Sequence, residues 1–157
     1  MKKHLRVEVG SLSDPGRVRE LNEDYFGTPE TMNISRDSVK QKGRLYAVAD
    51  GMGGHAAGEV ASRQAICILF EKYYASPSVE PLQRMKEAIE AANADVYAQA
   101  SLDRAKTGMG TTLVAAVLQG RDLYVANVGD SRAYLVHEPV SYTHLRAHET
   151  PEHLVCR

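Results

Sequence analysis

Between Leu45 and Ser62 the chain reads Leu-Tyr-Ala-Val-Ala-Asp-Gly-Met-Gly-Gly-His-Ala-Ala-Gly-Glu-Val-Ala-Ser, a strand passed to a helix through a turn crowded with glycine. Leu45 to Ala49 form a short apolar run suited to a buried strand, whereas Val60, Ala61, Ala65, Ile68 and Leu69 recur at helical spacing. The glycines between them let a backbone come close to a ligand that side chains would keep away. The junction therefore sets Asp50 at a strand end. A carboxylate there, beside an exposed carbonyl, is the start of a site for a hard divalent cation.

The flanking sequence supplies layers for this junction. Residues 4 to 9 alternate apolar and polar side chains and predict a half-exposed strand, followed by a turn at Ser13-Asp14-Pro15-Gly16. Arginines at 17 and 19 precede the acidic pair Glu23-Asp24 and a short β-prone segment, and residues 28 to 43, polar and aperiodic, predict a surface loop. The helix after the glycine turn runs from about Gly58 to Ala75 and ends before Ser76-Pro77-Ser78. A second begins after Pro81, with Leu82, Met85, Ile89, Ala92 and Val96 as one apolar stripe to about Ala100. Residues 103 to 110 form a link. Strands at 111–118, 123–128 and 132–136, joined by short turns, predict an antiparallel meander, and the whole a mixed layered domain with helices covering a sheet.

A chain of 157 residues, 43% of them apolar, is long enough to bury one core. Its net charge of −1 offers no basic face to nucleic acid or to an acidic membrane, and neither is expected as a partner. No run reaches membrane-spanning length and the N-terminus lacks the apolar core of a signal peptide, so a cytoplasmic protein is expected. Cys67, placed by its spacing on the apolar side of the first long helix, is expected to pack as a small hydrophobe, without disulfides.

Four motifs occur in a telling order: Arg19 with Asn22-Glu23-Asp24, Ala49-Asp50-Gly51-Met52-Gly53-Gly54-His55, Gly110-Thr111-Thr112, and Asn127-Val128-Gly129-Asp130-Ser131-Arg132. Together, over about residues 5 to 137, they resemble the metal-dependent serine/threonine phosphatases of the type 2C (PPM) family in their bacterial spelling. The resemblance implies an α+β fold, a four-layer α-β-β-α sandwich. It also implies hydrolysis of phosphoserine and phosphothreonine in proteins that are substrates of a serine/threonine kinase. Two Mn2+ or Mg2+ ions would activate the attacking water and stabilise the in-line displacement. By the same resemblance Asp50 bridges both ions, Gly51 offers its carbonyl, and Glu23 and Asp24 lie in or just outside the ligand shell. Arg19 grips the phosphate, with Arg17 as a weaker candidate, and Asp130 matches an aspartate associated with a third, looser ion.

Two departures stand out. Where some family members carry a histidine suited to protonate the leaving group, this chain has Met52, whose thioether transfers no proton; His55 is an alternative donor. The family's two further metal-binding aspartates have no match after Asp130, where the only carboxylates are Glu138, Glu149 and Glu152. A chain lacking them is expected to bind divalent metal weakly and to turn over little. From about Pro139 the composition changes, and residues 138–157 resemble translated adapter sequence rather than native protein, so the phosphatase-like part is bounded at 1–137, incomplete at its C-terminus. His144, His148, His153 and Cys156 suit zinc by ligand type, but Pro151 interrupts any helix that would align them. Loss of later strands would leave an unpaired, apolar sheet edge. A non-catalytic module that binds phosphoprotein or metal is the competing expectation.

Overall fold

Alternation along one strand organises the molecule. In β2 (Arg44–Met52), Leu45, Ala47 and Ala49 are almost fully buried while Val48 is 50% exposed, so the strand hides one face rather than both. The computed structural model describes residues 6–18, 21–53, 57–137 and 141–145. Within these, β1 (Asp24–Gly27), β2, β4 (Leu113–Gln119) and β5 (Asp122–Val128) form an antiparallel sheet in the order β1-β2-β4-β5, and β3 (Gly110–Thr111) pairs with the far end of β2.

Two long helices, α2 (Ala57–Ala75) and α3 (Pro81–Leu102), cover the inner face. Ile66, Leu69, Phe70 and Tyr73 of α2 meet Leu45, Ala47 and Ala49 of β2 and Leu113, Ala115 and Val117 of β4, with Met85, Ala88 and Ile89 of α3 completing the core. Helix α2 presses so closely on β1 that a Cβ at Gly27 would lie 2.7 Å from Ile66 and Phe70 side-chain atoms. This is an α+β layering of helices on an antiparallel sheet. The opposite face, with Val48 and Leu123 each half exposed, carries no helix among the described residues, and among these β5 stands at the sheet's edge.

Several expectations need correction. Of the strand expected at 4–9, the described residues 6–10 form none; Val9 is exposed and an exposed Arg6–Glu8 ion pair at 2.7 Å marks the segment, because two apolar positions with no partner strand among the described residues cannot hold it in a sheet. Residues 1–5 lie outside the described set. The loop at 28–43 contains a two-turn helix, α1 (Arg36–Lys42), started by Ser35 Oγ accepting the Ser38 amide at 3.2 Å and ended at Gly43, whose φ is +88°. Lys42 then anchors it by donating from Nζ to the carbonyls of Tyr74 at 2.6 Å and Ser76 at 2.7 Å.

Cys67 is a free, exposed thiol, since the buried face of α2 runs through Ala61, Ala65, Ile66, Leu69 and Tyr73 and passes it by. On α3, Leu82 is 61% exposed and the buried stripe takes in Arg84 instead. The meander breaks after β5. Strand β6 (Ala133–His137) leaves the sheet at the turn around Gly129 and pairs with β7 (Ser141–Leu145), in a stretch expected to lie outside the fold. Among the described residues no helix is long and apolar enough to cross a membrane.

Candidate metal centre

Register in the sheet assembles the site. Asp24 of β1 stands directly opposite Asp50 of β2 in the antiparallel ladder, so both side chains leave the sheet on the face away from the helices. Directly opposed residues bring their Cβ atoms to about 5 Å, and like charges so placed repel unless a cation lies near. Both residues are exposed. Asp24 is held in place by Asn22, whose Oδ1 accepts the Asp24 amide at 3.0 Å while its Nδ2 donates to Ser13 Oγ at 2.7 Å.

Asp50 is fixed more thoroughly. Its amide donates to Thr112 Oγ1 at 3.1 Å, and its carbonyl accepts the Thr112 amide at 2.9 Å and the Thr111 hydroxyl at 3.0 Å. The strand therefore cannot slide without breaking both the amide and the carbonyl bonds that tie this residue to Thr111 and Thr112. Next to it, the Gly51 amide donates to the Glu23 carbonyl at 3.0 Å. Gly51 has no room for a side chain: a Cβ would overlap the Gly58 carbonyl and come within 2.7 Å of the Glu23 carbonyl oxygen.

Glu23 sets its carboxylate against Gly58 in the first turn of α2. There the positive end of the helix dipole favours an anion. Asp130 sits exposed in the turn between β5 and β6, next to Ser131, whose hydroxyl lies 2.6 Å from that of Thr112. Arg132 beside it has its guanidinium pKa raised, first by a hydrogen bond with Tyr134 and to a smaller extent by the charge of Asp130. Arg17 is exposed in a turn. Arg19 and His55 lie outside the described residues, and Met52, 48% exposed at the end of β2, offers no proton.

The donor set suits a hard cation, since every candidate ligand is oxygen. It is not a complete cage: among the described residues no three His, Cys, Asp or Glu side chains come together closely enough to hold an ion. What the described residues would offer an ion is one wall of such a site, Asp24 opposite Asp50 with Gly51 beside it. Sequence reasoning singled out the acidic residues but missed what steadies them, Asn22 beneath Asp24 and the threonines at 111 and 112 beneath Asp50. The Gly-Thr-Thr motif carried that signal, because hydroxyls beside a strand end are ready partners for its backbone.

Comparison with known proteins identifies the family. The family model for protein phosphatase 2C matches residues 10–154. The chain is 40% identical over 134 residues to the serine/threonine protein phosphatase PstP of Mycobacterium tuberculosis, covering 85% of this chain and 24% of that protein. It is 36% identical over 132 residues to the serine/threonine phosphatase stp of Listeria innocua, covering 82% and 49% respectively. The crystal structure of the M. tuberculosis phosphatase PstP/Ppp superposes with a TM-score of 0.70 at 36% identity, covering 88% of this chain and 53% of that one. The catalytic domain of PstP in complex with two manganese ions does so with 0.69 at 37% identity, covering 86% and 53%. The chain thus spans about half, or less, of the length of these relatives. By sequence and by fold, the chain belongs to the protein phosphatase 2C family.

Proposed function

We propose that this chain contributes one wall of the active centre of a metal-dependent protein serine/threonine phosphatase, acting on phosphoserine and phosphothreonine in substrates of a serine/threonine kinase. The observation that carries the reading is the cross-strand placement of Asp24 and Asp50, with the amide and the carbonyl of Asp50 both bonded to the Thr111-Thr112 segment. Support comes from relatives named as serine/threonine phosphatases, one of them solved with two manganese ions. Manganese or magnesium held there supplies an activated water and stabilises charge developing at phosphorus.

Asp50, the Gly51 carbonyl, Asp24 and Glu23 would hold these ions, with Asp130 serving a third. Arg19 would take two phosphate oxygens in a charge-assisted fork and orient the ester. The facing carboxylates do not balance two dications, so the remaining ligands come from outside the described residues. The 157-residue chain is accordingly expected to bind Mn2+ weakly and to turn over slowly.

The decisive experiment is hydrolysis of a phosphothreonine peptide with Mn2+ and with excess chelator, by this chain and, where resequencing shows a native frame continuing past Val136, by the longer product. Metal-dependent turnover in the longer form, lost in its Asp50→Asn variant, supports the reading. Turnover retained by that variant removes Asp50 from its role. Peptide binding without hydrolysis in either form, indifferent to metal, would favour a regulatory module.

A further inference from the structure

Thr112, the residue between β3 and β4, touches both the strand that bears Asp50 and the turn that bears Asp130. Its amide and its hydroxyl close two bonds with the main chain of Asp50, at 2.9 and 3.1 Å. The same hydroxyl lies 2.6 Å from Ser131 Oγ, and either oxygen can be the donor. Ser131 is itself held, because its carbonyl accepts from Asn127 Nδ2 at 2.7 Å. Gly129, with φ of +94°, completes the clamp: a Cβ there would lie 2.9 Å from the Thr112 methyl, so the turn rests on the threonine directly. Asn127 Oδ1 is buried without a hydrogen-bond partner among the described residues, an unfavourable arrangement that the turn tolerates while the amide nitrogen holds Ser131.

We propose that Thr112 and Ser131 are positioning residues for Asp50: their paired hydroxyls lock the aspartate's main chain to the turn between Asn127 and Ser131. This rests on the cation-site reading above. The Asp50 carboxylate is exposed and has two rotatable bonds, so its aim at a cation depends on where its Cα is held. A fixed Cα reduces the ordering that an ion must impose, which is how outer partners of ligating residues act on affinity. The two hydroxyls belong to one contact, so removing either should do most of the harm that removing both does.

The test uses the full 157-residue chain, labelled with nitrogen-15 and titrated with Mn2+, whose paramagnetic broadening of nearby amide signals reports even millimolar binding. In the parent chain, broadening centred on residues 24 and 50 is expected, and Asp50→Asn should abolish it. Thr112→Val, which keeps the shape and removes the hydroxyl, should weaken Mn2+ affinity about tenfold. Thr112→Ser should restore it, and Ser131→Ala should lower it, with the Thr112→Val/Ser131→Ala double variant no worse than the stronger single. Parent-like affinity in Thr112→Val, with Asp50→Asn silent, overturns the positioning role and leaves the cation site standing. Absence of localised broadening in the parent chain overturns the cation site and the positioning role together. If Thr112→Val does not fold, Ser131→Ala decides, because it spares the Asp50 bonds; unchanged affinity there overturns the proposal.

Discussion

Glu23 grips both ends of the glycine turn: its carbonyl accepts the Gly51 amide at 3.0 Å, and its carboxylate rests against Gly58. One residue thereby ties the end of β2 to the start of α2. Both glycines are required by crowding, though by neighbours of different stiffness. A Cβ on Gly51 would meet backbone atoms of Gly58 and Glu23, which cannot yield, whereas a Cβ on Gly58 would meet chiefly the end of the Glu23 side chain.

That contrast gives opposite expectations for two alanine substitutions. Gly51→Ala should destabilise by about 3 kcal/mol or more, the upper range for an overpacked site, seen as a lower urea midpoint. Gly58→Ala gains up to about 1 kcal/mol of helix propensity, which offsets strain against the Gly51 carbonyl carbon 3.1 Å away. Its stability should be close to that of the parent. Its Glu23 carboxylate must move, however, so Mn2+ affinity should fall while the midpoint stays. Equal loss of stability in both variants would refute the distinction.

The strand and helix flanking the glycine cluster between Leu45 and Ala75 were legible because two periodicities meet there, and the residues assigned to the site were singled out because they fall in ordered motifs. Helix α1 was not, since a helix of two turns shows too little periodicity; its signals were the Ser35 cap and Gly43. The burial of Arg84 was hidden for another reason. An arginine beside an apolar stripe reads as solvated, and only the folded chain shows carbonyls from three segments awaiting its guanidinium. Likewise, no local pattern revealed that β6 would turn away from β5, because that depends on the Asn127 to Ser131 turn packing on Thr112.

Arg84 is 2% exposed, and among the described residues no carboxylate is a hydrogen-bond partner of it. Nη1 donates to the carbonyls of Ser78 and Val79, each at 3.0 Å, and Nη2 to Gln119 Oε1 at 2.9 Å and the Lys42 carbonyl at 3.2 Å. The guanidinium also lies 5.2 Å from the centre of the Tyr73 ring. Arg84→Met fills the space but leaves these acceptors bare, and should cost about 3 kcal/mol or more. Arg84→Lys should recover only part, lacking the planar fork. Urea unfolding checks both, and a loss under about 1 kcal/mol for Arg84→Met would show that water replaces the guanidinium.

Among the described residues the β6–β7 ribbon pairs with itself and with no strand of the main sheet, and Tyr134, Leu135 and Val136 are about half exposed or more. Two-stranded ribbons of this kind are marginal in water. A chain ending at His137 should therefore melt within about 2 °C of the full one, as expected where little buried surface is lost. A fall beyond about 5 °C in a thermal scan would place the ribbon inside the cooperative core.

Tyr74 makes the fold sensitive to alkali. Its hydroxyl donates to the Gly43 carbonyl at 3.0 Å and accepts the Leu45 amide at 3.1 Å, capping the stretch of β2 that runs past the end of β1. Burial raises its pKa from 10.0 to about 12, opposed by the Leu45 hydrogen bond and assisted by Tyr73, Tyr46 and Glu30 nearby. Tyr73 shifts the same way, again first through burial. A raised phenol pKa favours the protonated form in the native state. Its contribution is therefore complete below pH 10, where the unfolded phenol also keeps its proton, and is lost progressively as pH rises toward 12. Tyr74→Phe removes both hydrogen bonds and the ionisation, so it should be less stable than the parent at pH 8 by about 1 kcal/mol or more. The gap between the two urea midpoints should then narrow between pH 10 and pH 12, because the parent alone loses this contribution. A gap that stays constant across that range would mean that Tyr74 ionises equally easily in the folded and unfolded chains.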